Sequence, residues 1–165
     1  MLSNNEGEMM ASDTDTQYKG KGRPRAFNRE YALRRALEIF WQRGYEPASV
    51  AELCKAMDIN PPSLYAGFGN KASLFIEAVN YYEHTYWDAP ARRFLEEPDI
   101  YRAITEFFDT SARILISPDT PCGCMVVLAA VNISDDAVEV IDAIRQLRLA
   151  TKAMFSERLR RAYGG

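Results

Sequence analysis

Residues 58–71 read DINPPSLYAGFGNK, and the two adjacent prolines inside an otherwise helical stretch govern how the chain around them folds. Proline within a helix removes a backbone donor and crowds the preceding turn, whereas in the first turn its missing N–H had no intrahelical partner to lose. Pro61 and Pro62 therefore mark a helix start. Asn60 stands where an N-cap belongs, and Gly67 and Gly69 supply stop signals soon after. The spacing predicts a helix of about two turns, too short to be stable alone. Packing against neighbours must fix its place.

Upstream, Leu33, Leu37, Phe40 and Trp41 recur at helical spacing from near Asn28 until Gly44, which predicts a first helix. Ser49 followed three residues later by Glu52 is a capping box, and Val50, Leu53, Cys54 and Met57 give the apolar face of a second helix. Asp58 and Ile59 make the turn into the third. Two helices joined by so short a turn, the second one short and capped, are the sequence picture of a helix-turn-helix.

Downstream, Asn70 caps a fourth helix expected to run to about Trp87, with Phe75, Val79, Tyr82 and Tyr86 on one side. A break containing Pro90 and Pro98 is expected to separate it from a fifth, carrying Tyr101, Ile104, Phe108, Ala112 and Leu115. The apolar run CGCMVVLAAV fits a buried strand or a buried helix, and helix is preferred because no second strand candidate exists. Ser134 is expected to cap the last helix, which turns Val140, Ile141, Ile144, Leu147, Met154, Phe155 and Leu159 inward. The expected fold class is all-α.

The formal net charge of −3 hides an asymmetry. Residues 1–17 hold four acids and no base, residues 18–35 hold seven bases against Glu30 alone, and residues from 72 onward hold ten bases and fourteen acids. A basic block on an otherwise acidic chain is the footprint of a nucleic-acid contact, or equally a solvated basic helix face. Residues 1–22 lack hydrophobic periodicity and read as a disordered acidic tail running into a basic arm. No apolar run approaches the roughly 20 residues that span a bilayer, and no signal-peptide layout is present, so the chain reads as cytoplasmic with no membrane partner.

The run from Gly22 to Tyr82, with GRPR, ALEIFWQRGYEPASVAELCKAMDI and SLYAGFGNKASLF, resembles the DNA-binding domain of the TetR/AcrR family of bacterial transcriptional repressors. It does so in register over about sixty residues. The resemblance implies a helix-turn-helix domain over 23–70 and a helical ligand-binding and dimerisation domain over 71–165. It implies a homodimer that binds a palindromic double-stranded operator and is released by a small-molecule effector. Ser49 and Lys71 fall where the family contacts phosphates, Ser63 and Tyr65 at groove-facing positions, and Arg23 and Arg25 where some members carry a minor-groove arm. Ala66 and Gly67 depart from the bulky polar residues that many members have there. Members usually continue with two further helices, so a chain ending in Tyr163, Gly164 and Gly165 reads as a shortened member or a fragment.

The residues themselves bear on these positions. Lys71 opposes the macrodipole of its helix by about 0.3–1 kcal/mol, which a nearby phosphate would offset; an exposed lysine bears the same small cost. The prolines delete two N–H groups and leave those of Ser63 and Leu64 for any anion. Leu64 and Phe68 read as core, and Tyr65 as either packing or contact. Tyr86, Trp87, Tyr101, Phe108 and Arg113 are candidates for lining an effector pocket, each also explained by packing.

Catalysis finds little material. His84 is the lone histidine, which leaves nothing for a His-rich metal site or a triad, and no glycine-rich phosphate loop follows a strand. No enzyme, cofactor or metal is expected. Two alternatives stand beside the repressor: an all-helical interaction adaptor that does not bind DNA, and a redox- or metal-sensing variant using Cys122 and Cys124.

Overall fold

The computed structural model describes residues 28–129, 131 and 133–164; the expectations for the tail and for Arg23 and Arg25 lie outside them. Helices follow one another as α1 (Arg29–Arg43), α2 (Val50–Met57), α3 (Pro61–Phe68), α4 (Lys71–Tyr82), a single π turn (Glu83–Trp87), α5 (Asp88–Glu96), α6 (Ile100–Leu115), α7 (Met125–Ala129) and α8 (Val138–Tyr163). The described residues contain no strand, and the all-α expectation holds. No helix among them is long and apolar enough to cross a membrane.

Local chemistry sets the first four boundaries. The side chains of Asn28, Ser49, Asn60 and Asn70 accept from the N–H groups of Tyr31, Glu52, Ser63 and Ser73 at 3.0, 3.1, 2.9 and 2.7 Å, each satisfying a donor that a helix start leaves orphaned. Between them, Leu33, Phe40, Trp41, Leu53, Met57, Leu64, Phe68, Phe75 and Tyr82 form one buried cluster. Each such side chain contributes about 1.5–3 kcal/mol on burial. Aromatic rings continue this core into the rest of the chain. Trp41 stands edge-on to Tyr82 and Tyr86 at 4.7 and 5.4 Å, and Trp87 meets Phe107 at 6.3 Å, which packs on Phe94 and Phe155.

Two expected boundaries are corrected. Pro90 does not break the chain: it lies buried in the first turn of α5, where no intrahelical partner is needed. The π turn immediately before it widens the backbone where a proline cannot donate to the preceding turn. Ser134 does not cap α8, which starts at Val138 behind Ala137. The Ser134 hydroxyl is engaged instead by Glu46 and Asp136. The long α8 is anchored by Arg158, a buried arginine whose guanidinium donates to the carbonyls of Phe94, Glu97 and Pro98. These carbonyls lie at the negative end of α5, which supplies the complement to the buried charge.

Candidate nucleic-acid interface

The turn between α2 and α3 is built from three residues. Asp58 takes the left-handed conformation (φ 56°, ψ 44°), which aspartate tolerates better than most residues. The Ile59 N–H returns to the Cys54 carbonyl at 3.0 Å, closing α2 in the manner of a Schellman cap. Asn60 then caps α3, with both prolines in the first turn. Asn60 does more than the sequence indicated. Its side chain takes the Ser63 N–H and its carbonyl takes the Leu64 N–H at 3.1 Å. The two main-chain donors that the prolines leave are thus already used, and side chains must make any polar contact from this helix.

Around α3 the faces separate cleanly. Leu64 and Phe68 point into the core, while Pro61, Pro62, Tyr65 and Ala66 are exposed and Ser63 is half-buried. Tyr65 is 50% exposed. Ser49 is exposed at the start of α2, its oxygen occupied by Glu52 and its proton free to donate outward. The capping box is only half formed, because the Glu52 carboxylate pairs with Arg43 at 3.1 Å.

Lys71 is less free than its position suggested. Its Nζ donates to the Glu46 carbonyl at 3.2 Å and stands 4.4 Å from the centre of the Tyr45 ring. Burial pulls its pKa down, and the nearby Glu46 carboxylate opposes that. An ammonium has three donors, so two remain for another partner.

Sequence reasoning missed the role of Arg29. Counted within the basic block, it holds Glu77 of α4, reaches the Gly67 carbonyl at 3.4 Å and lies 4.6 Å from the Phe68 ring centre. No periodicity signals a pairing across so many residues. Arg35 pairs with Glu38 on its own helix.

The five pocket candidates do not converge. Tyr86 and Trp87 lie in the aromatic core between α1, α4 and α6. Tyr101 and Phe108 lie on the exposed side of α6, 72% and 59% exposed, and Arg113 pairs with Asp109 one turn away. Around the first group, the Tyr82 hydroxyl and the Trp87 indole N–H are buried without a hydrogen bond of normal geometry. Burial pushes the Tyr82 hydroxyl pKa up, with Cys124 alongside adding to the shift. A cleft of about 230 Å³ opens beside Tyr86, lined by residues including Trp41 and Tyr81 and by the 119–121 loop.

Comparison with known proteins agrees with this geometry. Residues 32–78 match the family described as bacterial regulatory proteins, tetR family. The chain is 35% identical over 138 residues to the HTH-type transcriptional repressor ComR of Escherichia coli (strain K12), covering 82% of this chain and 66% of ComR. It is 37% identical over 113 residues to the repressor BdcR of the same organism, covering 68% of this chain and 57% of BdcR. It thus spans less than two thirds of both. Among solved structures, a cysteine mutant of the TetR family transcriptional regulator CifR, complexed with 26-bp double-strand operator DNA, superposes with a TM-score of 0.79. That match has 41% identity and covers 85% of this chain and 73% of CifR.

Proposed function

The chain belongs to the TetR family of bacterial regulatory proteins, and from that premise we propose that it is a cytoplasmic transcriptional repressor that binds a palindromic operator as a homodimer and is released by a small molecule. The observation that carries this reading is α3: a helix fixed on one side by Leu64 and Phe68 that turns Tyr65, Ser63 and Ala66 toward solvent. In this reading α3 enters the major groove, Ser63 and Tyr65 meet base edges, and Ser49 and Lys71 meet phosphates, with Arg23 and Arg25 as an arm to the minor groove. With Ala66 and Gly67 following the tyrosine, fewer side chains reach bases, and shape and backbone contacts carry more of the recognition. Support also comes from CifR, solved in complex with operator DNA.

The division of labour we propose is DNA binding over 23–70 and regulation over 71–165. The effector is placed in the cleft beside Tyr86, between Trp41, Tyr81 and the 119–121 loop; Trp87, Tyr101, Phe108 and Arg113 do not line it. Selection of bound duplexes from a random pool tests the function directly. A recovered palindrome whose binding weakens steeply with salt supports it, and a pool that never enriches for any sequence contradicts it in favour of the adaptor.

A further inference from the structure

The loop between α1 and α2 is tied at one point to the turn ahead of α8. Glu46 Oε1 accepts from the Ser134 N–H at 3.0 Å and lies 2.5 Å from the Ser134 hydroxyl. The carbonyl of the same residue accepts from Lys71 Nζ, and the Tyr45 ring beside it faces that ammonium. A second tie lies nearby: Trp41 Nε1 donates to the Gly123 carbonyl at 2.8 Å. Gly123 and Ser134, on either side of α7, are thus each tied to the helix-turn-helix, and α7 itself packs on α1 and α4.

We propose that Glu46 is a positioning residue for DNA binding: gripping Ser134 with its carboxylate and Lys71 with its carbonyl, it sets the Lys71 ammonium for a phosphate and makes that setting depend on the turn before α8. This rests on the duplex-binding reading above. A lysine side chain loses rotamer freedom when fixed, and holding it in advance on a carbonyl and a ring removes part of that cost from binding. Two donors stay available to the phosphate. Ser134 has a second role. Its N–H and hydroxyl keep the Glu46 carboxylate charged and turned toward the 134–136 turn; the Ser134 hydrogen bonds hold that carboxyl below the usual carboxylate range, and Lys71 assists. Released from Ser134, the carboxylate would swing to the ammonium and compete with the phosphate for it. An effector that draws Ser134 away from Glu46 therefore weakens DNA binding without touching α3.

The test is a double-mutant cycle on the full chain, read by titration of a selected duplex, with amine labelling in the absence of DNA. Ser134→Ala loses the hydroxyl bond and should weaken duplex binding about two- to tenfold. The same change in a Lys71→Ala background should have almost no effect, because the residue it acts through is gone. Equal losses in both backgrounds, or no loss in either, overturn the proposal. In the labelling arm, N-hydroxysuccinimide acetate should modify Lys71 more slowly than exposed Lys55 in the parent, and Ser134→Ala and Glu46→Ala should both change the Lys71 rate while leaving Lys55 alone. A Lys71 rate unmoved by both substitutions overturns the positioning role. A parent that binds no duplex refutes the repressor reading and the DNA role of Glu46 with it, while the labelling rates still report whether the Glu46 carboxylate and its tie to Ser134 govern the setting of Lys71.

Discussion

Arg29 Nη2 lies 2.7 Å from both carboxylate oxygens of Glu77 while its guanidinium covers the Phe68 ring, so the first residue of α1 clamps the end of α3 against α4. The ion pair is half exposed and by itself stabilises little. Its effect lies in orientation: α3 is two turns long, and Phe68 is one of its two core anchors.

Arg29→Ala should therefore lower stability by only about 1 kcal/mol and yet weaken duplex binding by letting α3 tilt. Glu77→Gln, which removes the other half of the clamp, should reproduce the binding loss. Melting curves and duplex titrations of both variants check this. A binding loss confined to Arg29→Ala would mean that the arginine itself touches DNA.

Acidity offers a second check. Burial, reinforced by Asp88, pushes the Glu83 carboxyl in the π turn up from 4.5 to about 7. The folded state then binds a proton that the unfolded state has released, so this group's contribution to stability is full below about pH 4.5 and is lost as pH rises to about 7. Glu83→Gln should remove that slope and raise stability at pH 8 by about 1–2 kcal/mol, less than the full shift implies because the carboxyl is only partly buried. Thermal melts across pH 4–8 decide; a parent and variant with parallel profiles would contradict it.

What the sequence made legible was whatever depends on near neighbours. Asn60 and Asn70 cap their helices where composition placed them, since a cap needs only a donor three residues away, and the prolines mark the start of α3 because their chemistry is local. Misreadings arose where a distant partner intervened. Ser134 has the right chemistry for a cap, but Glu46, far away in sequence, takes it. Pro90 resembles a breaker until the π turn before it is seen. Arg29 and Lys71 stood out only as charges; their partners Glu77 and Glu46 lie at separations that carry no helical period. On the regulatory side, aromatic character grouped Tyr101 and Phe108 with Tyr86 and Trp87 as pocket candidates, and helical spacing alone could not tell which side of α6 faces the core.

Leu64→Ala should destabilise the fold by about 2–5 kcal/mol, because Leu64 is wholly buried and the cavity adds to the lost transfer energy. Its DNA binding should recover on cooling or with a stabilising osmolyte. Full stability in this variant would show that α3 is packed on another face.

Lys71→Ala should weaken binding to operator and random duplex alike and reduce the slope of log affinity against log salt by about one, since a phosphate contact positions without specifying. A loss limited to the operator would give Lys71 a role in base reading.

In the proposed complex the exposed face of α3 reads sequence. The most direct measurement is the ratio of affinities for the selected duplex and a scrambled one at a single salt concentration, compared between the parent, Ser63→Ala and Tyr65→Phe. If the two side chains meet bases, each substitution lowers that ratio by about 1–3 kcal/mol while the melting temperature barely moves. An unchanged ratio in both variants, with the parent still specific, would place sequence reading elsewhere on the protein and rule out α3 as the reading helix.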